Sequence, residues 1–399
     1  MIWPLGLGDS HNFGRRVTVG AHRVQKPRAI LWEWLVLGAD SPLRTFLTAA
    51  TERDGLGREA FAFLPGLSFF PSEGSHLSGA LGGEVERVEL QPLPRLSKEG
   101  RRALASIAGR AIALFSWLGV SDLHWENLVL GVGDQGRVIF APIDVEMVLA
   151  DLSLPTETKL LPDADPEYAA ICRHAAGVRR LLPYLGKPVA VDDLLAMATA
   201  YRATFGFLER HARGVADVLS HVSGIRETPI RVCLRGTGDY VRAASEPIWP
   251  PLLDAENEQL ARGDIPYFFR LYGQPGIRYH CEPTLTAARR LPLTGDVPQL
   301  DPILELSRGL RSPSRKELRE EGLLTLLGAF DHPTFVGRHG TEGMEVTFKA
   351  RSLVVKLENG EELHARRDMS AFVGSVYLRC RCGEVRTVFV PPVTVCREW

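Results

Sequence analysis

Ser121 to Asn127 reads Ser-Asp-Leu-His-Trp-Glu-Asn, and an apolar run, Phe140-Ala141-Pro142-Ile143, leads into Asp144-Val145-Glu146. The pattern is Asp-x-His-x-x-Asn followed by Asp-x-Glu. Phosphoryl transfer uses this set of side chains. One Asp takes or orients the nucleophile's proton, an Asn and a second Asp hold magnesium, and a nearby cation steadies the developing charge. Asp122 is therefore the candidate proton acceptor. Asn127 and Asp144 are the candidate magnesium ligands, and His124 orients the loop or contacts phosphate. The bland alternative is a polar turn capped by an Asp. A turn alone gives no reason for a second acidic pair after an apolar run.

The flanking elements must bring these residues together. Arg101 to Leu118 predicts an amphipathic helix, with Leu104, Ile107, Ala108, Ala111, Phe115 and Leu118 at helical spacing and Gly119 as its C-terminal cap. Asp122 then sits in the loop after a buried helix. Leu128–Leu130 and Val138–Phe140 read as a hairpin around Gly133 to Gly136, which delivers Asp144 beside Asn127. The order Asp, His, Asn resembles the lipid-kinase branch more than the His-Arg-Asp loop of ordinary protein kinases.

Before these loops, Arg15–Val19 and His22–Gln25 predict two strands about Gly20-Ala21, and Ala29–Leu37 a helix. Phe61–Phe70 and Val85–Leu90 read as further strands. After them, Glu167–Leu182, Val191–Leu219, Leu252–Arg262 and Arg315–Leu327 read as helices. From about residue 330 short alternating runs follow. Leu353, Val355 and Leu357 precede Asn359-Gly360, a strong hairpin signal, and Phe372–Cys382 and Val385–Val390 continue as strands. The expected fold is α+β in three parts: a β-rich N-terminal lobe with one helix over 1–95, a mostly helical lobe carrying the catalytic loops over 96–312, and a helix plus a small β module over 313–399.

Four other clusters hold chemical side chains. Gly8-Asp9-Ser10-His11-Asn12-Phe13-Gly14 could admit a phosphate, and Lys26, in Lys26-Pro27-Arg28, could reach its oxygens; an exposed turn and a surface lysine are the plain reading. Arg231, Arg235 and Thr237 lie within seven residues and could bind phosphate, against a solvated strand or helix edge. Residues 258–268, ending Arg262-Gly263-Asp264-Ile265-Pro266-Tyr267-Phe268, read as helix end, turn and aromatic core. Cys380 and Cys382 with Cys396, His332 and His339 match no standard zinc spacing, and alternate strand positions suit buried residues.

Composition narrows the classes. With 399 residues, 45% hydrophobic and 24% charged, the chain is an ordinary globular one. A net charge of −1 gives no general reason to expect nucleic acid or an acidic membrane as partner. Six Cys do not make a disulfide scaffold. Neither a signal peptide nor a membrane-spanning run is legible, so a cytoplasmic protein is expected. Lys is scarce, with seven against forty Arg, which makes Lys26 within a motif less a matter of chance.

Taken in order, these segments resemble the dehydratase domain of class II lanthipeptide synthetases. That family has a Gly-Asp-x-His-x-x-Gly turn, a Lys-Pro-Arg strand end, an Asp-x-His-x-x-Asn loop with an Asp-x-Glu partner, an Arg/Thr-rich stretch and an Arg-x-Asp-Ile-Pro-Tyr-Phe segment. All five occur here between residues 8 and 268. The resemblance covers roughly 5–310. It implies a two-lobed, lipid-kinase-like fold with extra helices, and an enzyme that phosphorylates Ser and Thr of a ribosomally made precursor peptide with ATP and magnesium. Elimination of phosphate then gives dehydroamino acids. By motif, Asp9, His11 and Lys26 serve nucleotide binding. Asp122, His124, Asn127 and Asp144 form the kinase centre with Glu146 beside it. Arg231 and Thr237 serve elimination, and Arg235 contacts phosphate. Only seven residues precede Gly8, where the family has a long region, so a shortened, stand-alone dehydratase is expected. Ring closure then falls to a separate cyclase. The β module after 330 is not in the family pattern; it reads as a binder of leader peptide or partner, or as cover for an edge. Two alternatives stand beside this one: a kinase for a peptide or small molecule that stops at phosphorylation, and a degenerate, pseudokinase-like peptide-binding protein.

Overall fold

The computed structural model describes residues 9–72, 76–133, 136–150, 152, 154–161, 176–243, 245–248, 251–292, 313–367, 375–379, 385–389 and 396–397. The expectations at Gly8, over most of 167–182, and at Cys380 and Cys382 fall outside the described residues.

Strands β1 (Thr18–Val19) and β2 (Arg23–Lys26) form the expected hairpin, closed by Gly20 N–H donating to Arg23 O at 2.8 Å. Helix α1 (Leu31–Leu37) follows, then α2 (Pro42–Arg53), whose start carries two helix signals: Ser41 Oγ accepts from Arg44 N–H, and Pro42 opens the first turn. The strand expected over 61–70 is largely absent. Arg58–Phe61 is a 3-10 turn, and only Phe69–Pro71 (β3) is extended. Phe61, Phe63 and Leu64 instead point into the core, so an apolar run buried as a loop imitated a strand. With β4 (Gly83–Glu86), these strands make an antiparallel sheet ordered β1-β2-β4-β3.

Helix α3 (Lys98–Trp117) positions the catalytic loop. Ser97 Oγ caps it by accepting from Gly100 N–H at 3.2 Å. Leu104, Ala108, Ala111 and Phe115 are buried, as their spacing predicts, while Ile107 is only partly so. Its partner is α4 (Val191–Arg210), and the two backbones nearly touch: a Cβ at Gly109 would overlap Met197 O. At its C-terminus Gly119 takes φ +62°, Gly119 N–H donates to Ser116 O at 3.2 Å and Val120 N–H to Phe115 O at 2.9 Å. This left-handed cap turns the chain directly into Ser121-Asp122.

Strands β5 (Leu128–Val132) and β6 (Val138–Pro142) pair with Leu128 opposite Pro142. The helix expected over 191–219 breaks after Arg210 into α4 and α5 (Ala212–Ser220). Strand β7 (Pro229–Val232), helix α6 (Thr237–Ala243), helix α7 (Asp254–Ala261) and strands β8 (Phe268–Leu271), β9 (Gln274–His280) and β10 (Ala288–Arg290) follow, in a sheet ordered β10-β9-β8-β7. Helix α8 (Pro313–Ala329) leads to β11 (Gly337–Thr341), β12 (Met344–Phe348), β13 (Ser352–Leu357) and β14 (Glu362–Arg366), which form a meander; Leu353, Val355 and Leu357 are its buried face. Strands β15 (Ser375–Arg379), β16 (Val385–Phe389) and β17 (Cys396–Arg397) make a last small sheet.

The described sheets are antiparallel except for β15 against β17, so the mixture is α+β rather than a wound α/β sheet. One apolar cluster runs from Ile30 through α3 and α4 to Ala365, and a second, containing Val232, Phe268 and Tyr279, lies against the β7–β10 sheet. The terminal meander is fastened by a fully buried ion pair. Arg367 Nη2 donates to Asp331 Oδ1 at 2.9 Å, and Nη1 to Lys349 O at 2.6 Å. His332 and His339 are taken up locally, His339 Nε2 lying 2.9 Å from Phe335 O. Among the described residues no helix is long and apolar enough to cross a membrane.

Candidate active site

Asp9, His11, Asp122, His124, Asn127, Asp144, Glu146, Arg231, Arg235 and Thr237 line one cavity of about 560 Å³. They come from the N-terminal turn, the loop after α3, the loop after β6, strand β7, the loop after it and the start of α6. Of the eleven residues singled out in the sequence, only Lys26 is not on its wall. A larger, mostly apolar groove of about 670 Å³ lies against α1, lined by Leu31, Trp34, Val218 and Val222, and contains none of them.

The loop after α3 is a set of interlocking bonds. Asp122 has φ +65°, which Asp tolerates better than most side chains. Asn127 Nδ2 donates to Asp122 O at 2.9 Å and to Asp122 Oδ2 at 3.4 Å, so Oδ1 is the side-chain atom left to bind a cation. His124 caps the 3-10 turn Trp125–Asn127: its Nδ1 accepts from Glu126 N–H at 3.3 Å. The ring proton then sits on Nε2, which faces Asp122 Oδ1 at 4.0 Å. Burial pushes the Asp122 carboxyl above the usual carboxylate range, against the pull of His124, Arg231 and Lys159.

The second acidic station is set by the hairpin. Leu128 pairs with Pro142, and Ile143 N–H donates to Asn127 O at 2.9 Å. Asp144 is therefore the residue after one bonded directly to Asn127. Its carboxylate pairs with Arg28, and Lys26 Nζ lies 3.8 Å away. Arg28 also holds Glu33 of α1 at 2.9 Å and Glu146 at 3.1 Å. Glu146 in turn pairs with Arg231, whose N–H donates to Glu146 O at 2.9 Å. Burial alone would raise Glu146, but Arg231 and Arg28 reverse this and lower it to about 2. The same pairing leaves Arg231 held charged above its ordinary value despite burial.

Lys26 faces inward. Its Nζ donates to Ile143 O at 2.6 Å and lies 3.5 Å from Glu33 Oε2. Burial lowers its pKa, and Glu33 partly restores it. Lys26 therefore holds the strand before Asp144, while Arg28, two residues on, takes the place on the cavity wall that the sequence had suggested for Lys26.

The N-terminal turn is docked by the fifth motif. Asp264, fully buried, accepts from Ser10 Oγ at 2.8 Å, Phe13 N–H at 2.7 Å and Gly14 N–H at 2.9 Å. Ile265 N–H donates to Ser10 O at 2.8 Å. His11 Nδ1 lies 2.7 Å from Ile265 O, an atom that only accepts, so Nδ1 carries the proton and Nε2 receives Arg231 Nη2 at 3.4 Å. Burial, then Arg231, lowers the His11 pKa and keeps the ring neutral.

Arg235 lines the cavity with its fork held from behind. Its Nε donates to Glu256 Oε1 at 2.9 Å and its Nη2 to Glu256 Oε2 at 3.3 Å; Tyr240 OH shares Oε1 at 2.9 Å. Thr237 Oγ1 donates to Asp9 Oδ2 at 3.2 Å. Sequence reading missed Arg28, Glu33, Glu256 and Asp264. Arg28 and Asp264 lay inside quoted motifs, whereas Glu33 and Glu256 belong to none.

Among the described residues no group of three or more His, Cys, Asp or Glu is placed to hold a metal ion. Magnesium asks less, since one or two side-chain oxygens plus substrate phosphates suffice. Asp144 and Asn127 Oδ1 fit that role, and Arg28 keeps Glu33 and Glu146 as partners if Asp144 turns to a cation. No protein-family model and no curated protein matches the chain.

Proposed function

We propose that this chain is a kinase-like dehydratase of the lanthipeptide type. It phosphorylates Ser or Thr of a ribosomally made precursor peptide with ATP and magnesium, in the cytoplasm, and then eliminates the phosphate. One observation carries the reading: ten residues assigned by ordered motifs, spread from Asp9 to Thr237, line a single cavity. The Lys26–Glu33 pair at 3.5 Å adds support for a two-lobed kinase-like core, because a strand lysine and a helix glutamate are paired in protein kinases.

Magnesium, held by Asp144 and Asn127 Oδ1, supplies charge neutralisation at the phosphate oxygens when bound. Asp122 accepts the proton of the attacking hydroxyl; its raised pKa brings it nearer the working pH. The substrate O–P bond forms as the bond to the leaving ADP breaks. In the second step the Cα–H bond and the Cβ–O bond break and a C=C bond forms, with inorganic phosphate leaving. Arg231, Arg235 and Thr237 stand on the cavity wall to receive it. The Cα proton passes to water in the cavity.

A second reading, a kinase that stops at phosphorylation, is favoured by one feature. Arg231 and Arg235 both spend donors on buried carboxylates, Glu146 and Glu256. Mass spectrometry after incubation with magnesium-ATP and the precursor peptide separates the two. Loss of one water per modified residue supports the dehydratase. A gain of one phosphate that persists supports the kinase, and an unchanged peptide and ATP contradict both.

A further inference from the structure

Three cavity-lining residues that are not glycine have a left-handed backbone: Asn12 at φ +48°, Asp122 at φ +65° and Lys159 at φ +67°. A lysine is unfavourable there, and glycine or asparagine would relieve it. The segments that hold Asp122 and Lys159 run side by side. Leu123 N–H donates to Thr158 O at 2.9 Å, and Ser121 Oγ donates to Glu157 O at 2.8 Å.

Lys159 cannot relax by turning its backbone. Its N–H donates to Thr156 O and its O accepts from Gly177 N–H, each at 2.9 Å. Thr158 and Leu160 on either side are fully buried, and Thr158 Oγ1 both donates to Pro155 O at 2.6 Å and accepts from Leu160 N–H at 3.0 Å. The fold thus holds a long cation in a costly conformation beside the candidate base. Such outliers persist where their surroundings over-determine them, and they gather at functional sites.

The other cavity cations are engaged. Arg28 meets three carboxylates, Arg231 meets Glu146, Arg235 meets Glu256, and Arg15 Nη2 donates to Pro283 O. Among the described residues no carboxylate lies within ion-pair distance of the Lys159 ammonium, yet its charge is felt at both Asp122 and Cys233.

We propose that Lys159 is a further cation that contacts the phosphoryl group in this cavity, beside Arg231 and Arg235. The ligand chemistry is a terminal phosphate, from a nucleotide or from a phosphorylated side chain. The inference rests on the phosphoryl-transfer reading of the site, but its test does not need turnover.

Calorimetric titration of the full chain with ATP and, separately, with O-phosphoserine tests it. Lys159→Gln weakens at least one probe by about tenfold or more, as loss of a charge-assisted bond does. Lys159→Arg and the control Lys187→Gln stay near the parent. Loss for ATP alone names the nucleotide as the source, and loss for O-phosphoserine alone names the peptide phosphate. Lys159→Gly serves as a second variant: it loses the same binding while its thermal midpoint equals or exceeds the parent's, because the left-handed strain is gone. A purely structural lysine would not behave so. Unchanged affinity for both probes in Lys159→Gln, or no binding of either probe to the parent, overturns the proposal. The peptide assay reports separately on the wider function, since phosphate binding that depends on Lys159 can stand even where peptide modification fails.

Discussion

Ser10 Oγ donates to Asp264 Oδ1 at 2.8 Å, joining residues 254 positions apart. Through this bond and two from Phe13 and Gly14 N–H, one buried carboxylate fixes the turn that puts Asp9 and His11 on the cavity wall. Asp264→Asn exchanges one accepting oxygen for a donor facing donors. The expected cost is about 2–3 kcal/mol of stability, with loss of activity. Urea unfolding reads the first and the peptide assay the second; an unchanged midpoint contradicts the clamp.

Acid should loosen the site through Glu146. Its folded pKa of about 2 lies below the ordinary value of 4.5, so its stabilising contribution is complete above about 4.5 and is lost as pH falls toward 2. His11 acts in a higher window. Its lowered folded pKa means the unfolded chain takes up a proton first, so stability falls as pH drops below the ordinary value of 6.5. Thermal midpoints measured from pH 8 to pH 3 should show both declines, with Glu146→Gln lacking the lower one. That variant also leaves Arg231 and Arg28 short of a partner, at a cost of about 3–5 kcal/mol.

Lys26 should behave as a positioning residue. Lys26→Met frees Ile143 O and lets the strand before Asp144 shift, and a misplacement of this kind lowers kcat by about a hundredfold. KM for ATP should change much less. A large rise in KM with kcat intact would instead mean that Lys26 binds the nucleotide itself.

Thr237→Ala should leave phosphorylation in place and let phosphopeptide accumulate, because Thr237 opens α6 and bonds Asp9, while Asp144 is held by Arg28. Mass spectra of the peptide over time read this directly. Fully dehydrated product at the parent rate removes Thr237 from the elimination step.

How legible the site was depended on the range of the interactions. Asp122, Asn127 and Asp144 were readable because a helix cap at Gly119 and a hairpin register between Leu128 and Pro142 are local signals that act within a few residues. The Asn359-Gly360 turn and the buried face of β13 were readable for the same reason. Helix α2 was not anticipated even though Ser41 and Pro42 mark its start. The run Phe61–Leu64 looked like a strand because burial, not pairing, selected its side chains. Glu33, Glu256 and Asp264 were hidden in another way. Each is an acid whose meaning comes from a cation or turn brought near by folding, and no spacing rule reaches from Asp264 to Ser10. Lys26 and Arg28 shared one motif, and only the direction of the chain after β2 decides which of them meets the cavity.

The account rests on Asp144 and Asn127 meeting a divalent ion and a nucleotide's terminal phosphate. Titration of ATP into the parent and into Asp144→Asn, each with and without magnesium, tests this most directly. The prediction is ATP binding that magnesium tightens by about tenfold or more in the parent, with the magnesium effect gone in Asp144→Asn. ATP affinity that is the same with and without magnesium, or a magnesium effect that survives in Asp144→Asn, would contradict it.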